Sequence, residues 1–166
     1  MSIKKNYTAQ EWEHKSETYT QAIQMLNLPE VPGTKDIMLL ESRIDQVLAE
    51  AMLDRAYIKS FFDRIDNELK LREKELSFQI RMTPEMVTDE PLTKPTEKMI
   101  DGLVVRYLSS HEYENYQLTI YQAKRLYAER FNFIEEVVRV LHDKKTALEI
   151  MARMLKIESN FKETVD

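Results

Sequence analysis

Apolar residues recur every three or four positions over two long stretches of the chain, and that interval predicts two long amphipathic helices. In the first stretch Ile37, Leu40, Ile44, Val47, Ala51, Ile58, Phe61, Ile65, Leu69, Leu76 and Ile80 keep helical spacing between Asp36 and Arg81, with no Gly or Pro inside. In the second the stripe runs from Tyr113 to Leu155, and nothing between Ser110 and Glu158 is Gly or Pro. A helix of that length reaches roughly 70 Å, against a radius of gyration of about 15 Å for a compact globule of this size. The pattern therefore predicts long helices over 36–82 and 110–158 in an elongated molecule.

Shorter elements fill the rest. Thr8 followed by Glu11 is a capping-box pair, and Trp12, Tyr19, Ile23 and Leu26 then predict a helix over 8–27. Pro29, Pro32 and Gly33 end it, with Thr34 as the cap of the next. Residues 83–95 hold Pro84, Pro91 and Pro95 and read as a loop. Thr96 caps a short helix over 96–108, whose apolar face is Met99, Ile100, Leu103, Val104, Tyr107 and Leu108. Ser109 or Ser110 starts the last helix, with Glu112 placed to box with Ser109.

The simplest arrangement is a single all-α domain over 1–166, its two long helices folded back as an antiparallel hairpin. The stripe on the first long helix is broad, since Leu39 with Leu40, Val47 with Leu48, Phe61 with Phe62 and Leu69 with Leu71 cannot all face one partner. Surplus apolar surface of this kind implies a homo-oligomer.

Composition narrows the chemistry. Two glycines and five prolines agree with an all-helical chain, and the absence of cysteine excludes disulfides, thiolate metal sites and a Cys nucleophile. The start, with Lys4 and Lys5 followed by Gln10-Glu-Trp-Glu-His14, lacks the apolar core of a signal peptide, and no apolar run is long enough to span a membrane. A reducing cytoplasm is the expected compartment. Glu11 and His14 have the Glu-x-x-His spacing of carboxylate-bridged metal bundles, but neither His111 nor His142 supplies the second copy, so a solvated acidic first turn is the preferred reading. Gly33 and Gly102 are isolated, which leaves no glycine-rich phosphate loop. Glu97 and Asp101 could flank a cation, but Lys98 beside them favours a wet helix face. No catalytic residues, metal or cofactor are expected.

The net charge of −5 places any nucleic-acid role on local patches. Lys70, Arg72, Lys74 and Arg81 lead into the loop, and Lys94, Lys98 and Arg106 follow it, so a hairpin would gather both groups at one end. Lys124, Arg125 and Arg130 alternate with Tyr121, Tyr127 and Phe131, a mixture that holds phosphates and stacks bases. A third group is Arg139, Lys144, Lys145, Arg153 and Lys156. The competing reading takes these cations as a solvated face and Tyr113, Tyr116, Ile120, Ala123 and Tyr127 as a heptad-like core track.

From Lys94-Pro-Thr-Glu97, through Leu103 to Tyr107 and Ser109-Ser-His-Glu-Tyr113, to Ala123, Arg139 and Leu141, the order of features resembles the small helical recombination mediators of T-even-type bacteriophages, the UvsY-like proteins. The segment Lys70-Leu-Arg-Glu-Lys-Glu-Leu76 is similar too, and the resemblance covers roughly 36–150. It implies an oligomeric ring in the cytoplasm of a bacterial host that binds single-stranded DNA, contacts a recombinase and a single-strand-binding protein, and helps one replace the other without ATP hydrolysis. The DNA contacts would be Lys70, Arg72, Lys74, Arg81, Lys94, Lys98 and Arg106, supported by Lys124, Arg125 and Arg130. The alternative is a helical protein-binding adaptor, a phage structural or host-takeover factor. It would act through Met99, Ile100 and the paired apolar residues of the first long helix.

Overall fold

The computed structural model describes residues 7–28, 33–83, 95–113 and 117–163, with side chains as far as Ser159. The breaking prolines Pro29 and Pro32, the loop over 84–94 with Lys94, and Tyr116 of the heptad-like track lie outside the described residues. The chain is all-α: α1 (Ala9–Met25), α2 (Thr34–Met82), α3 (Glu97–Ser110) and α4 (Ile120–Glu163). No strand occurs among the described residues. The contacts divide the chain into two compact units. One joins the chain up to Arg55 with Phe133 onward, and the other is Ala56–Asn132, so α2 and α4 each lend a segment to both.

In the first unit α1 packs with the α2 and α4 segments. Thr8 accepts from the Glu11 amide at 3.2 Å while the Glu11 carboxylate accepts from the Thr8 amide at 2.8 Å, so two of the free donors at the start of α1 are satisfied reciprocally. Ile37, Ile44, Leu48 and Ala51 of α2 meet Ile134, Val137, Val138, Leu141 and Leu148 of α4 in the core. The two segments run antiparallel: Asp45 pairs with Lys145 at 2.7 Å, and ten residues further along α2 Arg55 pairs with Glu135. At the head of α2, Thr34 is the first helical residue rather than the cap. The Gly33 carbonyl accepts from Ile37 at 3.1 Å, and the Gly33 amide donates to Asp36 at 3.1 Å.

The second unit holds the other α2 segment, α3 and the start of α4. Phe61 stacks on Tyr127 at 5.8 Å and Phe62 on Phe131 at 6.3 Å, and Asp66 pairs with Lys124 at 2.5 Å, which again sets α2 and α4 antiparallel. Thr96 caps α3 through the Met99 amide, and Ile100, Val104 and Leu108 are the face it buries.

One expectation needs correction. The final helix does not start at Ser109 or Ser110. Those residues end α3, where the Ser110 hydroxyl donates back to the Tyr107 carbonyl at 3.0 Å. The chain leaves the helix at His111, and Tyr113, 2% exposed, turns into the core of the unit with its hydroxyl on Glu68 at 2.6 Å. The Tyr113 amide donates to the Leu118 carbonyl at 2.7 Å, and Gln117 lies in the left-handed region at φ 54°. The capping box that starts α4 is Thr119 with Gln122. The Thr119 amide donates to Gln122 Oε1 at 2.9 Å, and the Gln122 amide to Thr119 Oγ1 at 3.3 Å.

Candidate interaction surfaces

Among the described residues, five of the ten sequence-predicted DNA contacts, Lys70, Arg72, Arg81, Lys124 and Arg125, hold an acid. In the second unit Lys70 pairs with Asp66 at 2.5 Å, and Lys124 reaches the other oxygen of the same carboxylate. Hydrogen bonds from Lys124 and then Lys70 hold Asp66 below the ordinary carboxylate range, and Asp66 in turn raises Lys70. Arg72 grips Glu68 at 2.8 and 3.1 Å and lies over the Tyr113 ring at 5.1 Å. Burial pushes Glu68 up, but hydrogen bonds from Tyr113 and Arg72 outweigh it and leave the carboxyl below its usual value. Arg81 bonds Glu97 at 2.6 Å, across from α2 to α3, and Arg125 bonds Glu129 at 2.9 Å.

Arg130 is a different case. It is 3% exposed with its guanidinium 5.3 Å from the Tyr127 ring, and burial pushes its pKa down. The aromatic residues interleaved with these cations are also engaged. Tyr127 and Phe131 stack on α2, and the half-buried Tyr121 donates to Glu73 at 3.1 Å, which with burial pushes it up to about 12. The ring faces of Tyr127 and Phe131 are therefore turned to protein. Lys74, Lys98 and Arg106 remain exposed with no ion pair among the described residues. Solvent-exposed pairs such as Lys70 with Asp66 are weak, so a phosphate can displace the acid, whereas Arg130 is out of reach. In the third group, Arg139 pairs with Glu136, Lys145 with Asp45, and Lys144 donates to the Leu26 carbonyl at 2.8 Å, while Arg153 and Lys156 are exposed.

The acidic candidates are occupied too. Glu11 serves the α1 capping box and Glu97 holds Arg81. No group of three or more His, Asp or Glu able to hold a metal gathers among the described residues. No helix among them is long and apolar enough to cross a membrane.

Sequence reasoning missed a polar centre in the first unit. Asp54, 4% exposed, accepts from Tyr7 at 2.5 Å, from Tyr19 at 2.6 Å and from Lys15. Burial pushes its carboxyl up, but the hydrogen bonds from Lys15, Tyr19 and Tyr7 prevail and hold it below the ordinary range. Tyr19 is pushed far up, first by burial and then by the Asp54 carboxylate. The signal was available: Asp54 stands on the helical track between Ala51 and Ile58 where an apolar residue is due.

Among the described residues, exposed apolar side chains gather on α2 of the second unit and at the two helix ends of the first. On α2 of the second unit, Leu71, Phe78 and Met82 are each more than half exposed at i, i+7 and i+11, one face of the helix. In the first unit a cleft of about 410 Å³ opens between the start of α2 and the end of α4, lined by Ile37, Met38, Ala152 and Leu155 with Glu41 and Lys156 on its rim. Met38, Leu39, Ile150, Met154 and Ile157 of the same two helix ends are also more than half exposed. No family model, no curated protein and no solved structure matches this chain.

Proposed function

We propose that this chain is a non-enzymatic helical interaction protein that binds other protein surfaces through its exposed apolar rows, and that self-association belongs to that role. The observation that carries the reading is the row Leu71, Phe78 and Met82, which holds Phe78 at 64% exposure. Ion pairs meanwhile occupy Lys70, Arg72 and Arg81 on the same helix. Apolar surface in water costs about 25 cal/mol per Å², so a row of this kind is a binding face awaiting cover. The antiparallel course of α2 and α4 segments within each unit supports a long hairpin as its frame. A photoreactive phenylalanine analogue at position 78 tests this in extract of the native host cell. Cross-links to a discrete partner that vanish in Leu71→Glu/Met82→Glu support it, and yields no greater than from a probe at Glu13 reject it.

A second reading is a recombination mediator, an oligomer that binds single-stranded DNA and helps load a recombinase in place of a single-strand-binding protein. It is favoured by Lys74, Lys98 and Arg106, which are exposed without an ion pair among the described residues, and by Phe78 one turn from Lys74. Titration with a short labelled oligonucleotide at low and moderate salt tests it, and no binding at low salt excludes it.

A further inference from the structure

We propose that the outer face of α3 in the second unit is a seat for an acidic amphipathic helix of a partner protein, which crosses α3 at Gly102. The inference rests on the reading of this chain as one that binds protein surfaces, and it adds a face on another helix and the chemistry of its occupant.

Gly102 stands in the interior of the fourteen-residue α3, where glycine is the poorest helix former apart from proline. Nothing inside the chain asks for it. A Cβ added there meets no atom within 4 Å, so alanine would fit and would hold the helix better. What remains is the other use of a missing side chain, which is to let a backbone from outside come close. The neighbours of Gly102 agree with that use. Met99, Gly102 and Val105 form a row at spacing three, and Lys98, Gly102 and Arg106 form a row at spacing four, so the glycine is the low point where two helix ridges cross. Met99 is 44% and Val105 51% exposed. They are apolar walls on either side of the notch, while Ile100, Val104 and Leu108 are buried on the opposite side of the helix.

Charge fixes the kind of helix. Lys98 and Arg106, one at each end of the notch and about 12 Å apart along the axis, are exposed and hold no ion pair among the described residues. The two acids of α3 lie elsewhere: Glu97 bonds Arg81 of α2 at 2.6 Å, and Asp101 is turned about 100° from Gly102. The face is therefore basic in a chain of net charge −5. Its complement is a helix with a small or apolar residue at the crossing and an acid to either side. A nucleic-acid strand fits less well, because it stacks its bases on exposed rings. The aromatic side chain of α3, Tyr107, is half-buried and stacked on His111 at 3.8 Å. A lipid surface is flat and has no use for a notch.

Fluorescence anisotropy on the full chain tests the seat. The probes are a labelled helical peptide with Leu and Ala on one face and Glu on the other, and the same peptide with Gln in place of Glu. The Glu peptide should bind roughly fivefold more tightly, and Lys98→Ala/Arg106→Ala should remove that difference. Gly102→Ala and Gly102→Leu are the decisive variants. Both favour the helix and should raise the melting temperature by roughly 2 °C, and on a plain apolar patch both would also bind the peptide better. The seat predicts the reverse, weaker binding with Ala and weaker still with Leu. No binding of the Glu peptide at low salt, equal affinity for the two peptides, or unchanged or tighter binding by the Gly102 variants overturns the proposal. So does a labelled oligonucleotide that binds more tightly than the Glu peptide and is lost in Lys98→Ala/Arg106→Ala. Loss of the peptide in Leu71→Glu/Met82→Glu, with the Gly102 variants still binding, would place it on α2, sinking the seat while leaving the broader reading in place. The cross-links from position 78 report on α2 alone, so either result can fail without the other.

Discussion

Asp54 stays charged inside the first unit because three donors from α1 and the residue preceding its cap converge on it. Removing the carboxylate leaves the Tyr19 hydroxyl buried and Lys15 without its acid. Asp54→Ala is therefore expected to destabilise the first unit by about 3 kcal/mol, measured by urea unfolding, and a loss below about 0.5 kcal/mol would show that the centre contributes little. Its pH dependence has a definite sign. The folded value lies below the ordinary 3.8, so its contribution is whole above pH 3.8 and is lost as the pH falls through the folded value. Tyr121 gives the opposite sign. Burial first, and then Glu73, pushes it from 10.0 up to about 12, so its share of stability is present below pH 10.0 and disappears between there and about 12. Tyr121→Phe should flatten that alkaline limb in a thermal melt series.

Helix boundaries show how far local signals reach. The box of Thr8 with Glu11 stands where apolar spacing begins, and both its hydrogen bonds form. Two later sites carry equally good letters, Ser109 with Glu112 and Thr119 with Gln122, and the structure uses the second. The deciding energy is not local: it is the burial of Tyr113 against Arg72 and its hydrogen bond to Glu68, distant in sequence. No Gly or Pro marks the break, because Gln117 itself takes the left-handed position. Thr119→Ala should cost about 1 kcal/mol as a lost cap. Ser109→Ala, on the exposed end of α3, should change stability by less than about 0.5 kcal/mol. Equal losses in the two variants, read by chemical denaturation, would contradict the placement of the α4 start.

For the molecule as a whole, the all-α class was legible because spacing of three and four over dozens of residues admits little else. The candidate cations were visible only as letters. Asp66 and Glu68 stand four residues before Lys70 and Arg72 on one helix, so those two pairs were open to view, whereas the pairing of Lys124 with Asp66 and of Arg81 with Glu97 depends on how helices face one another. If the chain binds single-stranded DNA, Lys98→Ala/Arg106→Ala should reduce the slope of log affinity against log salt by about 1.4, at roughly 0.7 per phosphate contact. Arg130→Lys should leave the slope unchanged. Trp12, the only tryptophan in the chain, meets Phe133 edge-on at 5.8 Å and Tyr7 at 6.1 Å. Its fluorescence therefore comes from a single place, the joint between α1 and α4. As Asp54 takes up its proton and releases Tyr7, Lys15 and Tyr19, the emission should move to longer wavelength, giving a built-in optical gauge of whether the first helix is seated.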